Sequence, residues 1–177
     1  MTKAKTQRGF TFLELIIVVG IIGVLTVVLF GRLQLYQEIA ERTAMEQTVG
    51  TLKSALNLRV ASYVAKDKAG EITELLKQNP MSWLTEKPRN YFGEYFNPRP
   101  GEVPPGHWYF DPAQKQLVYV VNRGEHFVAD AQGEKRVRYR LALVYNGLNG
   151  ATVAASEKKE IGGVVLETVQ AYAWGNG

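Results

Sequence analysis

The stretch Arg8-Gly9-Phe10-Thr11-Phe12-Leu13-Glu14 joins a short basic leader to an apolar segment that continues without a charged side chain to Gly31. Glu14 is the only charged residue between Arg8 and Arg32. An acid at the centre of a membrane helix costs on the order of 2.5–3.5 kcal/mol, so such a residue is by default functional and needs a partner. This carboxylate decides how the chain is interpreted.

The segment from Phe10 to Gly31 is long enough to cross a membrane. It contains 22 residues, and about 20 predominantly apolar residues span the bilayer core. Lys3, Lys5 and Arg8 precede it without an acid, which predicts a cytoplasmic N-terminus and export of the residues after the segment. No small-residue cleavage site follows the apolar run, so we expect it to be retained.

The basic leader, the string from Gly9 to Glu14 and the apolar helix together resemble the N-terminal processing signal of type IV pilins and of the pseudopilins of type II secretion. The resemblance implies that a membrane-embedded prepilin peptidase cleaves between Gly9 and Phe10 and methylates the new Phe10 amine. It also implies that Glu14 pairs with the Phe10 amine of a neighbouring subunit during filament assembly.

The physics of the helix supports this role of Glu14. At 1.5 Å rise per residue, Glu14 lies only about 6 Å along the helix from Phe10, near the membrane interface. An α-amine with a reference pKa of about 8 is cationic at neutral pH and is a suitable partner for a carboxylate in lipid. The alternative is that Glu14 reaches the headgroups or is protonated.

Composition limits what the rest of the chain does. The leader cations account for three units of the formal net charge of +4, so the basic character is weak evidence for nucleic-acid binding. The chain has no cysteine. It therefore departs from the many pilins whose C-terminal loop is closed by a disulfide, which leaves that loop and its adhesive role without support.

The spacing of apolar residues predicts an α+β fold, with a long N-terminal helix packed on a small antiparallel sheet. This arrangement also resembles the pilin fold. Four segments are expected, namely a cleaved leader (1–9), a transmembrane and assembly helix (10–31), an amphipathic continuation (32–66) and an exported head (67–177). The buried stripe of the continuation is predicted to consist of Met45, Val49, Leu52, Leu56, Val60 and Tyr63. Its opposite face carries Glu41, Arg42, Glu46, Lys53 and Arg59.

In the head, we expect a short helix over 71–78 and an irregular, proline-rich connection over 79–106. Strands are predicted at 107–111 and 117–122, joined by a turn at 112–115, then at 126–129, 137–145 and 164–174.

No feature indicates an enzyme or a resident cofactor. His107 and His126 have no further histidine or cysteine at metal-ligand spacing, so no zinc site is predicted. Some pseudopilins hold calcium in a C-terminal loop, but the matching segment here, 146–159, contains Glu157 as its only carboxylate. Neither a phosphate-binding loop nor a nucleophile with a base is found.

Arg136, Arg138 and Arg140 alternate along the predicted strand and form the one candidate ligand-binding row. A basic row of this kind can bind phosphates. A solvated face or salt bridges between subunits is the competing interpretation.

Two functions therefore remain open. The first is a structural subunit of a type IV pilus or a type II secretion pseudopilus, with the prepilin peptidase, an inner-membrane assembly platform and other subunits as partners. The second is a minor pilin that binds DNA or a surface ligand. Both place the chain in the bacterial inner membrane with one pass and a periplasmic domain, from which it enters a periplasmic or surface filament.

Overall fold

A computed structural model describes residues 10–145 and 161–175, which form one long helix, two 3-10 helices and five strands. The helix α1 spans Phe12–Ala65, and the 3-10 helices span Ala69–Lys77 and Pro80–Trp83. The strands are β1 (Tyr91–Glu94), β2 (Trp108–Asp111), β3 (Gln116–Val120), β4 (Arg136–Tyr145) and β5 (Ile161–Thr168). The expected leader, Gly9 and the candidate calcium loop 146–159 lie outside the described residues.

The chain divides into two compact units, with the boundary between Ile39 and Ala40. We call the described part of the first, residues 10–39, the helical unit. We call the described part of the second, residues 40–145 and 161–175, the sheet unit. Each unit is described by itself below.

The helical unit is a single stretch of α1 that continues through Gly20, Gly23 and Gly31. Its large apolar side chains are all exposed, from Phe10 to Ile39. By length and composition, α1 is the one helix in the described part of the chain that is able to cross a membrane. A helix that is apolar all round is stable only where lipid or other protein covers it.

The sheet unit places the second part of α1 against one face of the sheet. Met45, Leu52 and Leu56 are almost fully buried, and they share a hydrophobic core with Trp108, Tyr119 and Tyr139 of the central strands. The predicted stripe is therefore confirmed, with Val60 and Tyr63 partly buried at its end. The α+β fold class is also confirmed, because one long helix packs on a five-stranded, mostly antiparallel sheet.

The strands follow each other in the sheet in chain order, from β1 to β5. The pairs β2–β3, β3–β4 and β4–β5 are antiparallel, and the predicted turn at 112–115 joins the first of them. The Asp111 carboxylate accepts hydrogen bonds from the backbone N–H groups of Ala113 (2.9 Å) and Gln114 (3.3 Å), which closes this turn.

The sheet is not entirely antiparallel, contrary to the prediction. Strand β1 pairs with β2 in parallel, and it lies within the connection that was predicted to be irregular. The run Tyr91–Glu94 is short, and Gly93 has φ +123° at a break in the register. Four residues interrupted by glycine carry no clear strand pattern, so only the pairing with β2 makes this segment a strand.

Three other boundaries differ from the prediction. The helix expected at 71–78 is the 3-10 helix Ala69–Lys77. The run 126–129 is not a strand and contributes a single bridge between Phe127 and Trp174. The last strand ends at Thr168, six residues before Trp174, because the chain then turns and inserts the Trp174 ring into the core.

Glu41 connects α1 to the end of β3, although the pattern predicted it on the solvated face. Its carboxylate accepts hydrogen bonds from the Tyr119 hydroxyl (2.9 Å) and from the backbone N–H groups of Asn122 (2.7 Å) and Arg123 (2.6 Å). Burial of the Tyr119 hydroxyl and its hydrogen bond to Glu41 raise the pKa of Tyr119. Three donors on one carboxylate fix the helix against the sheet.

We predict that Glu41→Gln lowers the free energy of unfolding of the sheet unit by about 2 kcal/mol, because hydrogen bonds to a charged acceptor are stronger than neutral ones. Urea denaturation of the full chain in neutral detergent, followed by tryptophan fluorescence, measures this change.

The matched control is Glu46→Gln on the same helix. Its ion pair with Arg42 (2.9 Å) is exposed on both sides, so the loss should be under about 1 kcal/mol. Equal losses for the two variants would contradict the assigned role of Glu41.

Candidate functional site

The N-terminal end of α1 carries the residues singled out for processing and assembly. Phe10 is the first described residue and its side chain is 79% exposed. Thr11 precedes the first helical residue, and its hydroxyl oxygen accepts a hydrogen bond from the backbone N–H of Glu14 (3.3 Å). Thr11 is therefore the N-cap of the helix, three residues before an acid, which is the spacing of a capping box.

Glu14 occupies the first turn of α1 and is exposed. A carboxylate near a helix N-terminus is stabilised by the partial positive charge of the free backbone N–H groups. The apolar stretch after it carries no further charge as far as Gly31. Its one hydroxyl, on Thr26, donates to the backbone carbonyl of Ile22 (2.7 Å). From Phe10 to Gly31, the surface of the helical unit thus presents one charged group, Glu14, among apolar side chains.

This arrangement suits association between helices more than catalysis. A lone carboxylate on an exposed apolar helix is best paired with a cation on another apolar helix. The two charges then neutralise each other while the apolar surfaces of the two helices are buried. No other ionisable side chain in the first two turns of the helix can act as its partner. The structure places Phe10 and Glu14 at the same end of the unit, as the sequence predicts.

The arginine row on β4 has partners inside the sheet unit. Asp130 accepts a hydrogen bond from Nε of Arg136 (2.9 Å) and another from Nη2 of Arg138. Arg138 also donates to the side-chain oxygen of Gln132 (2.9 Å). Arg140 forms an exposed salt bridge with Glu167 on the neighbouring strand β5 (2.9 Å). Each of the three arginines therefore has a carboxylate partner.

Asp130 organises the turn that leads into β4. Its side chain is only 7% exposed, and its second oxygen accepts hydrogen bonds from the backbone N–H groups of Gln132 (3.0 Å) and Glu134 (2.9 Å). Burial by itself would raise the pKa of Asp130. The hydrogen bonds from Arg136, Glu134 and Arg138 outweigh burial and lower the pKa to about 2. Arg136 and Arg138 therefore fasten this turn to the strand.

Sequence reasoning did not identify Glu41 or Asp130 as important residues. The segment from Asp130 to Gly133 does contain a turn signal, because Gly133 has φ +80° and aspartate readily bonds to nearby backbone N–H groups. No sequence signal indicates that the same carboxylate meets two arginines. Strand alternation places Arg136 and Arg138 on one face of β4, and the turn between Asp130 and Glu134 brings the carboxylate back to that face.

Comparison with known families identifies the N-terminal segment. A family model described as the prokaryotic N-terminal methylation motif matches residues 4–30. This motif is the signature of type IV pilins and pseudopilins, so the resemblance of the leader, Phe10 and Glu14 to that family is confirmed. No curated protein and no solved structure matches the chain.

We predict that Thr11→Val loosens the first turn of α1, because loss of an N-cap hydroxyl costs about 1 kcal/mol. Hydrogen exchange at the Glu14 amide should become about fivefold faster, since 1 kcal/mol corresponds to this change in the opening equilibrium. NMR of the full chain in phosphatidylcholine nanodiscs gives the rate. Thr11→Ser keeps the hydroxyl and should exchange like the wild type. An unchanged rate in Thr11→Val would show that the Thr11 hydroxyl does not cap the helix.

We also predict that Asp130 contributes to stability at neutral pH and that this contribution disappears in acid. Its pKa falls from 3.8 in the unfolded chain to about 2 in the fold, a difference equivalent to about 2 kcal/mol. The contribution is complete above pH 3.8 and is lost as the pH falls towards 2. The free energy of unfolding is measured by urea denaturation in neutral detergent at pH 6 and at pH 2. Its decrease between the two pH values should be about 2 kcal/mol smaller for Asp130→Asn than for wild type. Equal losses of stability for the two proteins would show that the ionised form of Asp130 does not stabilise the fold.

Proposed function

We propose that the chain is a structural subunit of a type IV pilus or of a type II secretion pseudopilus, held in the inner membrane by α1 before it joins a filament. The single observation that carries this proposal is the N-terminal methylation motif at residues 4–30. The described residues of this motif belong to the helical unit, where all the large apolar side chains are exposed. The motif supports a pilin-like subunit that is processed by a prepilin peptidase and assembles with other pilin subunits.

Processing at Gly9–Phe10 creates the cation that Glu14 lacks. Cleavage leaves Phe10 as the first residue, with an α-amine that is protonated at neutral pH. Methylation keeps this charge. A neighbouring subunit that is displaced along the filament axis brings its Phe10 amine towards Glu14 while the apolar surfaces of the two helices meet. The ion pair is thus formed only in the correct register.

The proposed orientation follows from the leader. Lys3, Lys5 and Arg8 hold the N-terminus in the cytoplasm, where the peptidase acts, and the sheet unit is then periplasmic. An inner-membrane assembly platform draws the processed subunit out of the bilayer. The role is structural and not enzymatic. The motif is shared by pili and pseudopili, so the proposal covers both filaments.

The geometry favours this role over a DNA-binding minor pilin. Arg136 and Arg138 share Asp130, and Arg140 bonds to Glu167. A phosphate would have to displace these carboxylates from the guanidinium groups, and arginine–carboxylate hydrogen bonds are among the strong ones. The use of the row as a nucleic-acid site stays a prediction from sequence.

We predict that Glu14→Ala inserts into the membrane like wild type but fails to assemble. Leaving the amine of the neighbouring subunit without its counter-charge costs about 3–5 kcal/mol in a dry interface, so cross-linked oligomers should decrease about tenfold or more. Membrane fractionation and cross-linking in cells that hold the assembly machinery measure the two steps separately. Glu46→Gln, which alters an acid outside the apolar segment, is the control and should assemble normally.

The mass of the purified wild-type subunit provides a check on processing that does not depend on assembly. It should correspond to a chain that starts at Phe10 with one added methyl group. A subunit that still carries its first nine residues, or a Glu14→Ala variant that assembles normally, contradicts the proposal.

A further inference from the structure

A surface groove in the sheet unit lies between the last turns of α1 and the two 3-10 helices. It has a volume of about 470 Å³, within the range of about 300–1,000 Å³ that is usual for ligand sites. Its lining includes Leu58, Arg59 and Tyr63 of α1, together with Lys66, Lys68, Glu71 and Trp83 from the segments that follow. The mechanism of assembly proposed above makes no use of this groove.

The groove carries more positive than negative charge. Arg59, Lys66 and Lys68 line it, and Glu71 is the only acid among the lining residues. Glu71 is engaged, because it forms a salt bridge with Lys68 (3.2 Å). Within residues 10–145 and 161–175, Arg59 and Lys66 have no ion-pair partner. Two cations are therefore available at one site, in contrast to the arginine row on β4.

One of these cations is held in place by an aromatic ring. The guanidinium carbon of Arg59 lies 5.8 Å from the centroid of the Trp83 ring, within the distance of a cation–π contact. The ring itself is oriented by a hydrogen bond from its Nε1 to the side-chain oxygen of Gln78 (3.0 Å). A guanidinium that is already positioned loses less conformational freedom when it binds a carboxylate.

Apolar surface lies beside the cations. The Leu58 side chain is 73% exposed, and Tyr63 and Trp83 are half-buried at the groove. A free inorganic anion would leave Leu58 in water. A nucleic acid is a poor fit, because binding typically neutralises about 6–10 phosphates and the groove offers two unpaired cations. The combination fits a ligand that presents acidic and apolar groups together.

We propose that this groove binds an acidic segment of a partner protein. A carboxylate of that segment bonds to Arg59 and Lys66, and a neighbouring aliphatic or aromatic side chain packs on Leu58 and Trp83. Charge complementarity selects the acid, and the exposed leucine selects a protein segment over a simple anion.

The test uses the full chain in phosphatidylcholine nanodiscs and a synthetic five-residue peptide that contains three glutamates, a leucine and a phenylalanine. NMR titration should show saturable shifts of the Trp83 indole N–H. Replacement of both cations, Arg59→Gln with Lys66→Gln, should raise the dissociation constant about tenfold or more. The matched control, Lys53→Gln with Lys115→Gln, removes the same charge elsewhere on the sheet unit and should stay within about twofold of wild type.

Three further titrations identify the ligand class. A peptide with glutamine in place of every glutamate should bind at least about tenfold more weakly, whereas equal binding would overturn the need for an acid. Saturable shifts with inorganic phosphate or with phosphatidylglycerol vesicles, and none with the acidic peptide, would assign the groove to a small anion or a lipid and overturn the proposal. Absence of peptide binding at about 1 mM would do the same. Because no filament is needed, failure here is distinct from failure of the proposed function.

Discussion

A single carboxylate on an apolar helix needs a counter-charge, and this need is the constraint on which the N-terminal part of the protein depends. Glu14 lies in the first turn of α1, capped by Thr11 and followed by uncharged residues as far as Gly31. Within the helical unit, nothing in the first two turns neutralises it. Such a group is stable at the membrane surface or in a complex that supplies a cation. It is unfavourable when it is unpaired inside the bilayer. In the proposed filament subunit, one residue therefore couples membrane residence to association.

The sheet unit uses carboxylates in a different way, since Glu41 and Asp130 each accept several hydrogen bonds from groups inside the unit. Glu41 collects three donors at the end of β3, and Asp130 collects two arginines and two backbone N–H groups at the start of β4. Both contacts fix the connection between β3 and β4, Glu41 at Asn122 and Arg123 and Asp130 at Gln132 and Glu134. The hydrophobic core positions α1 on the sheet, and these carboxylates position the loops.

The arginine row and the groove differ in whether their cations are already paired with carboxylates, and this decides which cations are available to a ligand. Three arginines in alternation are the stronger sequence signal for ligand binding, yet each is bonded to a carboxylate. Arg59 and Lys66 are separated by seven positions and give no motif, yet they face one groove beside Trp83. Lys66 directly follows the last residue of α1, and its backbone N–H still bonds to the carbonyl of Ser62 (3.2 Å). A spacing close to two helical turns therefore brings both side chains to one face.

The sequence by itself determined the features that depend on local spacing. The methylation motif, the apolar helix, the stripe from Met45 to Leu56 and the turn at 112–115 are all readable, because each follows from neighbours within a few residues. Only the tertiary structure decided the parallel pairing of β1, the inward turn of Trp174 and the partners of Glu41 and the arginine row. Asp130 lies only 6 and 8 positions from Arg136 and Arg138, but the other contacts join residues 17 to 82 positions apart. Contacts over such separations are fixed by the packing of the core, and no local pattern encodes them.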